Sequence, residues 1–350
     1  MIKDKILIYA PISYDQNAGG PTGFISQNLL DKPRELFTLS NDLVKKYDLY
    51  KKILYKLNQK LTNKSYWERH FDNIKAYKYQ YIYFHDCNVF NTVKHKISSK
   101  QTVILQAHCP ELPSEEGRSL GFDQEKIKEI INAEQSAFNR ADILVFPNEH
   151  ILPIYSSLIN KNSQIEYILS GAKASDNLKS YPLAEQKINL LYIGRRNKIK
   201  GFDLLLDTFK MVSKERSDLN LIVVGKGEDV TNHDLGIYDV GFSSTPNNWF
   251  NSVDYIINTN RQSYFDLSII EALSTGTPII MSNNFGHKYF ESKSSLISTY
   301  DINKPTELYN ILNGPLRKKR ADMDNILLFQ KELTDKKYFS RFEAFCKRLI

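Results

Sequence analysis

Residues 190–210, LLYIGRRNKIKGFDLLLDTFK, change character twice within one short stretch. Leu190 to Ile193 are apolar on consecutive positions and stop at Gly194, the pattern of a strand buried on both faces. A basic loop follows, and Gly201 leads into a helix with Leu204, Leu205 and Phe209 inward. Strand runs of this kind recur on both sides. KILIYAP, YIYFHD, TVILQAH and DILVFPN form an earlier group; INLLYIG, LNLIVVG, DYIINTN and TPIIMSN form a later one. Each is bordered by helical periodicity or turn residues, so the spacing predicts parallel sheets covered by helices.

The two groups are separated by GAKASDNLKSYPLAEQK, residues 171–187, a polar segment with Pro182 and no sustained periodicity. It reads as an interdomain linker. The expected architecture is α/β, with two doubly wound Rossmann-like domains, 1–170 and 188–334, facing a central cleft. In 335–350, Tyr338, Phe342, Phe345 and Leu349 recur at helical spacing, which predicts an amphipathic helix returning to the first domain. Ligands of such sheets collect beyond the carboxyl ends of the strands.

Composition excludes several classes. The chain has 350 residues, 41% hydrophobic and 25% charged, ordinary for a globular protein of two domains. No apolar run approaches the ~20 residues of a spanning helix. MIKDKILIYAP enters a strand directly, unlike a secretory leader. Cys87, Cys109 and Cys346 lie far apart in no metal-ligand spacing, which points to a reducing cytoplasm. The formal net charge of +7 favours anionic partners. Aromatics are not interleaved with arginines on one predicted sheet face, which argues against nucleic acid.

In the opening stretch, Arg195 and Lys200 stand at a strand's carboxyl end, where a diphosphate could lie. Arginine offers a planar fork of donors and lysine a mobile charge, a pairing able to neutralise a leaving group without a metal. A solvated basic loop is the competing reading, since Arg196 and Lys198 are there too. LIVVGKGED places Gly225 and Gly227 after a strand, where a ligand can approach the main chain. Further on, DYIINTN leads through a loop into the helix LSIIEALSTG. Its start near Leu267 offers N–H groups and the positive end of a dipole to an anion. Glu271 either accepts from a ribose diol or is an ordinary surface glutamate.

Taken together, GRRNKIKG, VVGKGE and SYFDLSIIEALSTGTPII resemble the retaining nucleotide-sugar glycosyltransferases of family 4, with the GT-B fold. The resemblance covers the second domain in order and the first more loosely. It implies that Arg195 and Lys200 hold the donor diphosphate, that Glu271 binds the ribose, and that backbone amides around Phe265, Asp266 and Leu267 meet the phosphate or sugar. Gly194, Gly225, Ser263 and Tyr264 fall in the same donor region. The implied donor is UDP- or GDP-linked, with no metal. In a retaining reaction the leaving phosphate itself deprotonates the acceptor, so no protein nucleophile is needed.

The chain departs from that pattern twice. Ser263 stands where the family usually has glutamate, eight positions before Glu271, and Asp266 stands where it usually has glycine. Asp266 has two readings: it caps the helix from Leu267, or it accepts hydrogen bonds from donor-sugar hydroxyls. The segment between Gly227 and YDVGF is short.

In the first domain, Gly19 and Gly20 precede a helix expected around Thr22. They form either a phosphate- or acceptor-facing loop or an ordinary turn. His85 and His108 end predicted strands; the resemblance puts His108 near the donor sugar, and His85 with Asp86 on the acceptor side. The loop CPELPSEEGRSLG is a candidate for closing over the cleft. DMD, Asp322 to Asp324, has a metal-binding look but reads as a solvated helix face. Residues 43–64 present Leu43, Tyr47, Tyr50, Leu54, Leu57 and Leu61 on one seam among lysines. That helix is either core-packed or docked on an anionic membrane surface.

The expected function is transfer of a sugar to a hydroxyl of a glycan or lipid-linked glycan in bacterial-type surface polysaccharide synthesis. The expected location is cytoplasmic, with the inner face of the plasma membrane as a peripheral site. The rivals are a non-catalytic GT-B partner subunit that binds glycan or protein, and a nucleotide-sugar epimerase or phosphorylase.

Overall fold

The computed structural model describes residues 2–12, 20–43, 65–174, 178–319 and 322–350. The chain divides into two units, Met1–Leu169 with Phe339–Ile350, and Ser170–Tyr338.

The sheet of the first unit has six strands among the described residues: β1 (Ile2–Tyr9), β2 (Phe37–Leu39), β3 (Tyr79–Phe84), β4 (Thr102–Gln106), β5 (Ile143–Phe146) and β6 (Gln164–Tyr167). They pair in parallel in the order β2-β1-β3-β4-β5-β6. Ile6 to Ala10 and Ile82 to Phe84 are fully buried, which is why these runs are apolar at every position. The strand order reverses between β1 and β3, so a crevice opens beyond their carboxyl ends. The helix Asp335–Leu349 supplies this unit with an aromatic wedge. Phe342 packs edge-on against Phe37 and Tyr83, and Arg341 donates to the Leu169 carbonyl at 2.8 Å.

The sheet of the second unit also has six strands among the described residues: β7 (Ile188–Ile193), β8 (Leu219–Val224), β9 (Ile237–Gly241), β10 (Tyr255–Asn258), β11 (Ile279–Ser282) and β12 (Ile297–Tyr300). The order is β12-β11-β10-β7-β8-β9, again parallel. Leu190, Tyr192, Val223 and Ile280 from the sheet meet Leu205 and Phe209 of the helix Phe202–Val212 in one core. Here the order reverses between β7 and β10.

The segment read as linker is docked on the second unit. Ala172 bridges Thr334 in parallel, and Tyr181 stacks on Trp249 with ring centroids 4.1 Å apart. The Tyr181 amide donates to Ser252 Oγ at 2.7 Å. A polar composition concealed these anchors, because two of the three attachments run through backbone. The division between units falls at Leu169/Ser170.

The lysine-rich helix expected over 43–64 lies, from residue 44 on, outside the described residues. No helix among the described residues is long and apolar enough to cross a membrane.

Candidate active site

In the second unit, the loops after β7 and β10 are locked together at the point where strand order reverses. Gly201 has φ +63°, and a Cβ there would lie 1.9 Å from the Thr259 carbonyl oxygen, so only glycine permits the approach. Thr259 Oγ1 donates toward the carbonyls of Lys200 and Gly201, at 3.0 and 2.9 Å. The Arg261 amide donates to the Ile199 carbonyl at 2.8 Å. Gly225 makes a second close approach: with φ +140°, its Cβ would sit 2.1 Å from the Gly194 carbonyl oxygen.

Lys200 is held by this lock. Its Nζ lies 3.1 Å from Asp266 Oδ2. The same carboxylate oxygen accepts from Asn260 Nδ2 at 2.5 Å and, at 3.5 Å, from Asn258 Nδ2. The buried ring of His287 also places Nε2 3.5 Å away. Burial alone would raise the carboxyl's pKa, but the charge on Lys200, with His287, outweighs it and holds Asp266 far below the usual carboxylate range.

The capping reading of Asp266 is therefore corrected. Asp266 occupies the residue before the helix Leu267–Ser274, yet its side chain makes no cap hydrogen bond. A lysine from the neighbouring strand's loop competes for the oxygen and wins, because a buried charge gains more from an ion than from an amide.

Ser263 is also placed differently from a ligand-facing residue. It is 0% exposed, and its hydroxyl donates toward the carbonyl and Oδ1 of Asn284 at 2.5 and 2.7 Å while the His287 amide reaches it at 3.3 Å. It braces the loop after β11. Tyr264 and Phe265 are buried, Phe265 being stacked on Phe290 at 4.9 Å. Leu267 opens the helix, ahead of its intrahelical hydrogen-bond ladder, and Glu271 is half-buried one turn in.

Arg195 and Arg196 part company. Arg195 is exposed, its carbonyl accepting from Tyr192 Oη at 2.6 Å. The Arg196 side chain is only 5% exposed and forms a two-pronged pair with Asp239, both contacts at 2.5 Å, while also donating to the Gly225 carbonyl at 2.7 Å. The loop is thus not simply solvated.

In the first unit, the helix Gly20–Asn28 and the ends of β3 and β4 converge on a histidine pair. His85 Nδ1 and His108 Nε2 are 2.7 Å apart, and Phe24 covers the His108 ring at 4.8 Å between centroids. Gly20 starts the helix at φ +63° with open space where a Cβ would point; Gly19 lies outside the described residues. Asp86 does not join the histidines, since its Oδ1 caps the helix Cys87–Val93 through the Asn88 and Val89 amides. Nor is CPELPSEEGRSLG an open loop: it contains the helix Pro113–Ser119, pinned where Ser114 donates twice to the buried Glu134. Asp324 of DMD starts a helix and donates its amide to Asp322 Oδ1.

Both histidines are held neutral. Burial lowers His108 to about 3, and burial with the neighbouring His108 lowers His85 well below the ordinary value. The unfolded chain therefore takes up these protons first. Stability is full above pH ~6.5 and drains as pH falls towards the folded values. For His108 alone the loss at pH 5 is about 2 kcal/mol. Urea unfolding at pH 7 and pH 5 should show it, and His108→Gln should shrink the difference while leaving the share due to the buried His85.

Residues 187–307 match the family described as Glycosyl transferases group 1. A curated relative, the Escherichia coli O-antigen biosynthesis glycosyltransferase WclY, is 25% identical over 159 residues, 42% of each chain. The chain thus spans less than half the length of that relative. Sucrose-phosphate synthase from Thermosynechococcus elongatus superposes with a TM-score of 0.69 at 13% identity, covering 99% of both chains. Anabaena HepE, solved with UDP and glucose, gives 0.65 at 13%, covering 98% of this chain and 99% of its own. The fold is GT-B, and within it residues 187–307 are the stretch that matches the group 1 glycosyltransferase model.

Within this GT-B chain, the residues missed from sequence are Arg196, Asp239, Asn260 and His287. Asn260 had one available signal, since it follows DYIINT directly at a strand's carboxyl end.

Proposed function

We propose that the protein transfers a sugar from a nucleoside-diphosphate donor to a hydroxyl of a glycan or lipid-linked glycan in surface-polysaccharide synthesis. The observation that carries this reading is the convergence, where strand order reverses in the group 1 domain, of Lys200 and the helix start at Leu267. Arg195, an exposed residue, opens the same loop.

In this reading the bond from the sugar's anomeric carbon to the diphosphate oxygen breaks and a bond to the acceptor oxygen forms. The acceptor's proton passes to the departing phosphate, with retention. Lys200, Arg195 and the amides at Leu267 meet the negative charge as it grows, and Glu271 holds the ribose. His108, neutral and fixed by His85 and Phe24, is suited to hydrogen-bond a sugar hydroxyl. Side-chain cations take the place of a divalent metal.

The test is a screen of UDP-, GDP-, ADP- and CMP-sugars for thermal stabilisation, followed by turnover with the best donor. A rise in midpoint with one nucleotide class is expected, and release of its nucleoside diphosphate should persist in excess EDTA. Abolition by EDTA, restored by Mg²⁺ or Mn²⁺, would reject the metal-independent part.

A further inference from the structure

We infer that Asp266 is a positioning residue that shares Lys200 with the donor diphosphate, and so sets how weakly the spent nucleoside diphosphate is held. This rests on the donor-site reading above.

The geometry is specific. Asp266 stands at the residue before the helix start, where an anion is otherwise favoured, yet its own charge is already there. Its Oδ2 is fixed by Lys200 at 3.1 Å and Asn260 at 2.5 Å, with Asn258 and His287 Nε2 each at 3.5 Å. These groups come from the loop after β7, the end of β10 and the loop after it, and the segment after β11, all packed by backbone contacts. Lys200 is therefore not a bare cation awaiting phosphate. It is one half of a largely buried pair.

An arriving diphosphate meets a dipole rather than a lone positive charge, and binds less tightly for it. As the sugar departs, the diphosphate gains charge and draws more of Lys200's hydrogen bonding away from Asp266. The gain is concentrated in the transition state, which raises turnover rather than ground-state affinity. Once the product is formed, Asp266 competes for Lys200 and hastens release. A glycine at this position would leave Lys200 to the anion at every stage.

The experiment is calorimetric titration of the full chain with UDP and with GDP, together with steady-state kinetics on the preferred donor. Asp266→Asn keeps shape and hydrogen bonding but removes the charge. It is expected to tighten nucleoside-diphosphate binding about tenfold. The donor KM and kcat should fall together, leaving kcat/KM within a few-fold. Asp266→Glu, which keeps the charge, should bind as the wild type does. In a Lys200→Ala background the Asn substitution should tighten binding much less, because the effect runs through Lys200.

Unchanged or weaker product binding in Asp266→Asn overturns the inference, as does equal tightening in Asp266→Glu. Asp266→Ser serves the same comparison if the Asn variant does not fold. A separate outcome concerns the underlying reading: if Lys200→Ala alone leaves binding of both nucleotides unaltered, the donor site itself is misplaced and both claims fall. Weakening in Lys200→Ala without tightening in Asp266→Asn removes only the inference.

Discussion

Lys200→Ala should lower kcat/KM for the nucleotide-sugar donor by about 10²–10³-fold, the scale seen when one preorganised charge-stabilising group is removed. The loop that carries Lys200 is fixed independently of the lysine side chain. Gly201 abuts the Thr259 carbonyl, Thr259 Oγ1 bonds two loop carbonyls, and Arg261 pairs with Asp203 while donating to the Lys198 carbonyl. Removing the ammonium therefore deletes a charge without releasing the backbone. Asp266 loses its ion but keeps Asn260 as a donor, and stranding this largely buried carboxylate should cost about 3–5 kcal/mol in urea unfolding, so rates are compared on the folded variant. Ser263→Ala supplies the contrast. Its hydroxyl faces Asn284, so the substitution should cost about 1 kcal/mol in urea unfolding and less than tenfold in kcat/KM. Initial rates for both variants decide the matter. Equal losses would move the chemistry away from Lys200.

That contrast alters what the unusual residue at 263 means. A family that places glutamate there uses a long acid; here a short hydroxyl is turned inward and ties the loop after β10 to the loop after β11. At 266, where the resemblance would put glycine, an acid stands instead, surrounded by Lys200, Asn260 and His287. From sequence, the two departures are visible but their partners are not. Lys200 and His287 lie 66 and 21 residues from Asp266 in opposite directions, and nothing in local periodicity couples them.

What could be read was what repeats locally. The strands β1, β3, β4, β5, β7, β8, β10 and β11 are buried on consecutive positions, and each stands out as an apolar run. β2, β6, β9 and β12, which lie at the four sheet edges, did not stand out. QIEY and IYDVG are edge strands, polar or alternating, and their identity depends on the neighbour they pair with. The glycines of the site were legible as turn residues. That Gly201 and Gly225 each meet a carbonyl of another chain segment depends on tertiary approach, and no spacing encodes it. The histidine pair was found because both residues end strands that happen to be neighbours in the sheet. The capping of the helix Cys87–Val93 by Asp86, one residue further on, depends on backbone direction, which no spacing encodes.

Arg196→Ala should destabilise the protein by about 3–5 kcal/mol, a far larger loss of stability than any substitution at its neighbour Arg195. Arg196 and Asp239 each have side chains only 5% exposed. Tyr238 and Val240, on either side of Asp239 in the edge strand, are exposed at 40% and 41%, so the usual alternation is inverted and the acid points inward. Truncating Arg196 leaves that carboxylate with the Val230 and Gly241 amides, at 3.1 and 2.8 Å, and no counter-charge. It also removes donors from the Gly225 and Glu228 carbonyls, loosening the turns after β8. In the wild type, burial tends to raise the Asp239 carboxyl, but Arg196 and the two amides hold it below its ordinary value of 3.8. Its stabilisation is therefore complete above pH ~4 and lost as pH falls through the depressed folded value. Without Arg196 the carboxyl should shift upward, so the variant gains by protonation what the wild type loses. The stability gap measured by urea unfolding should be widest near pH 7 and narrow towards pH 3. A gap independent of pH would assign the loss to packing around the guanidinium rather than to the stranded charge.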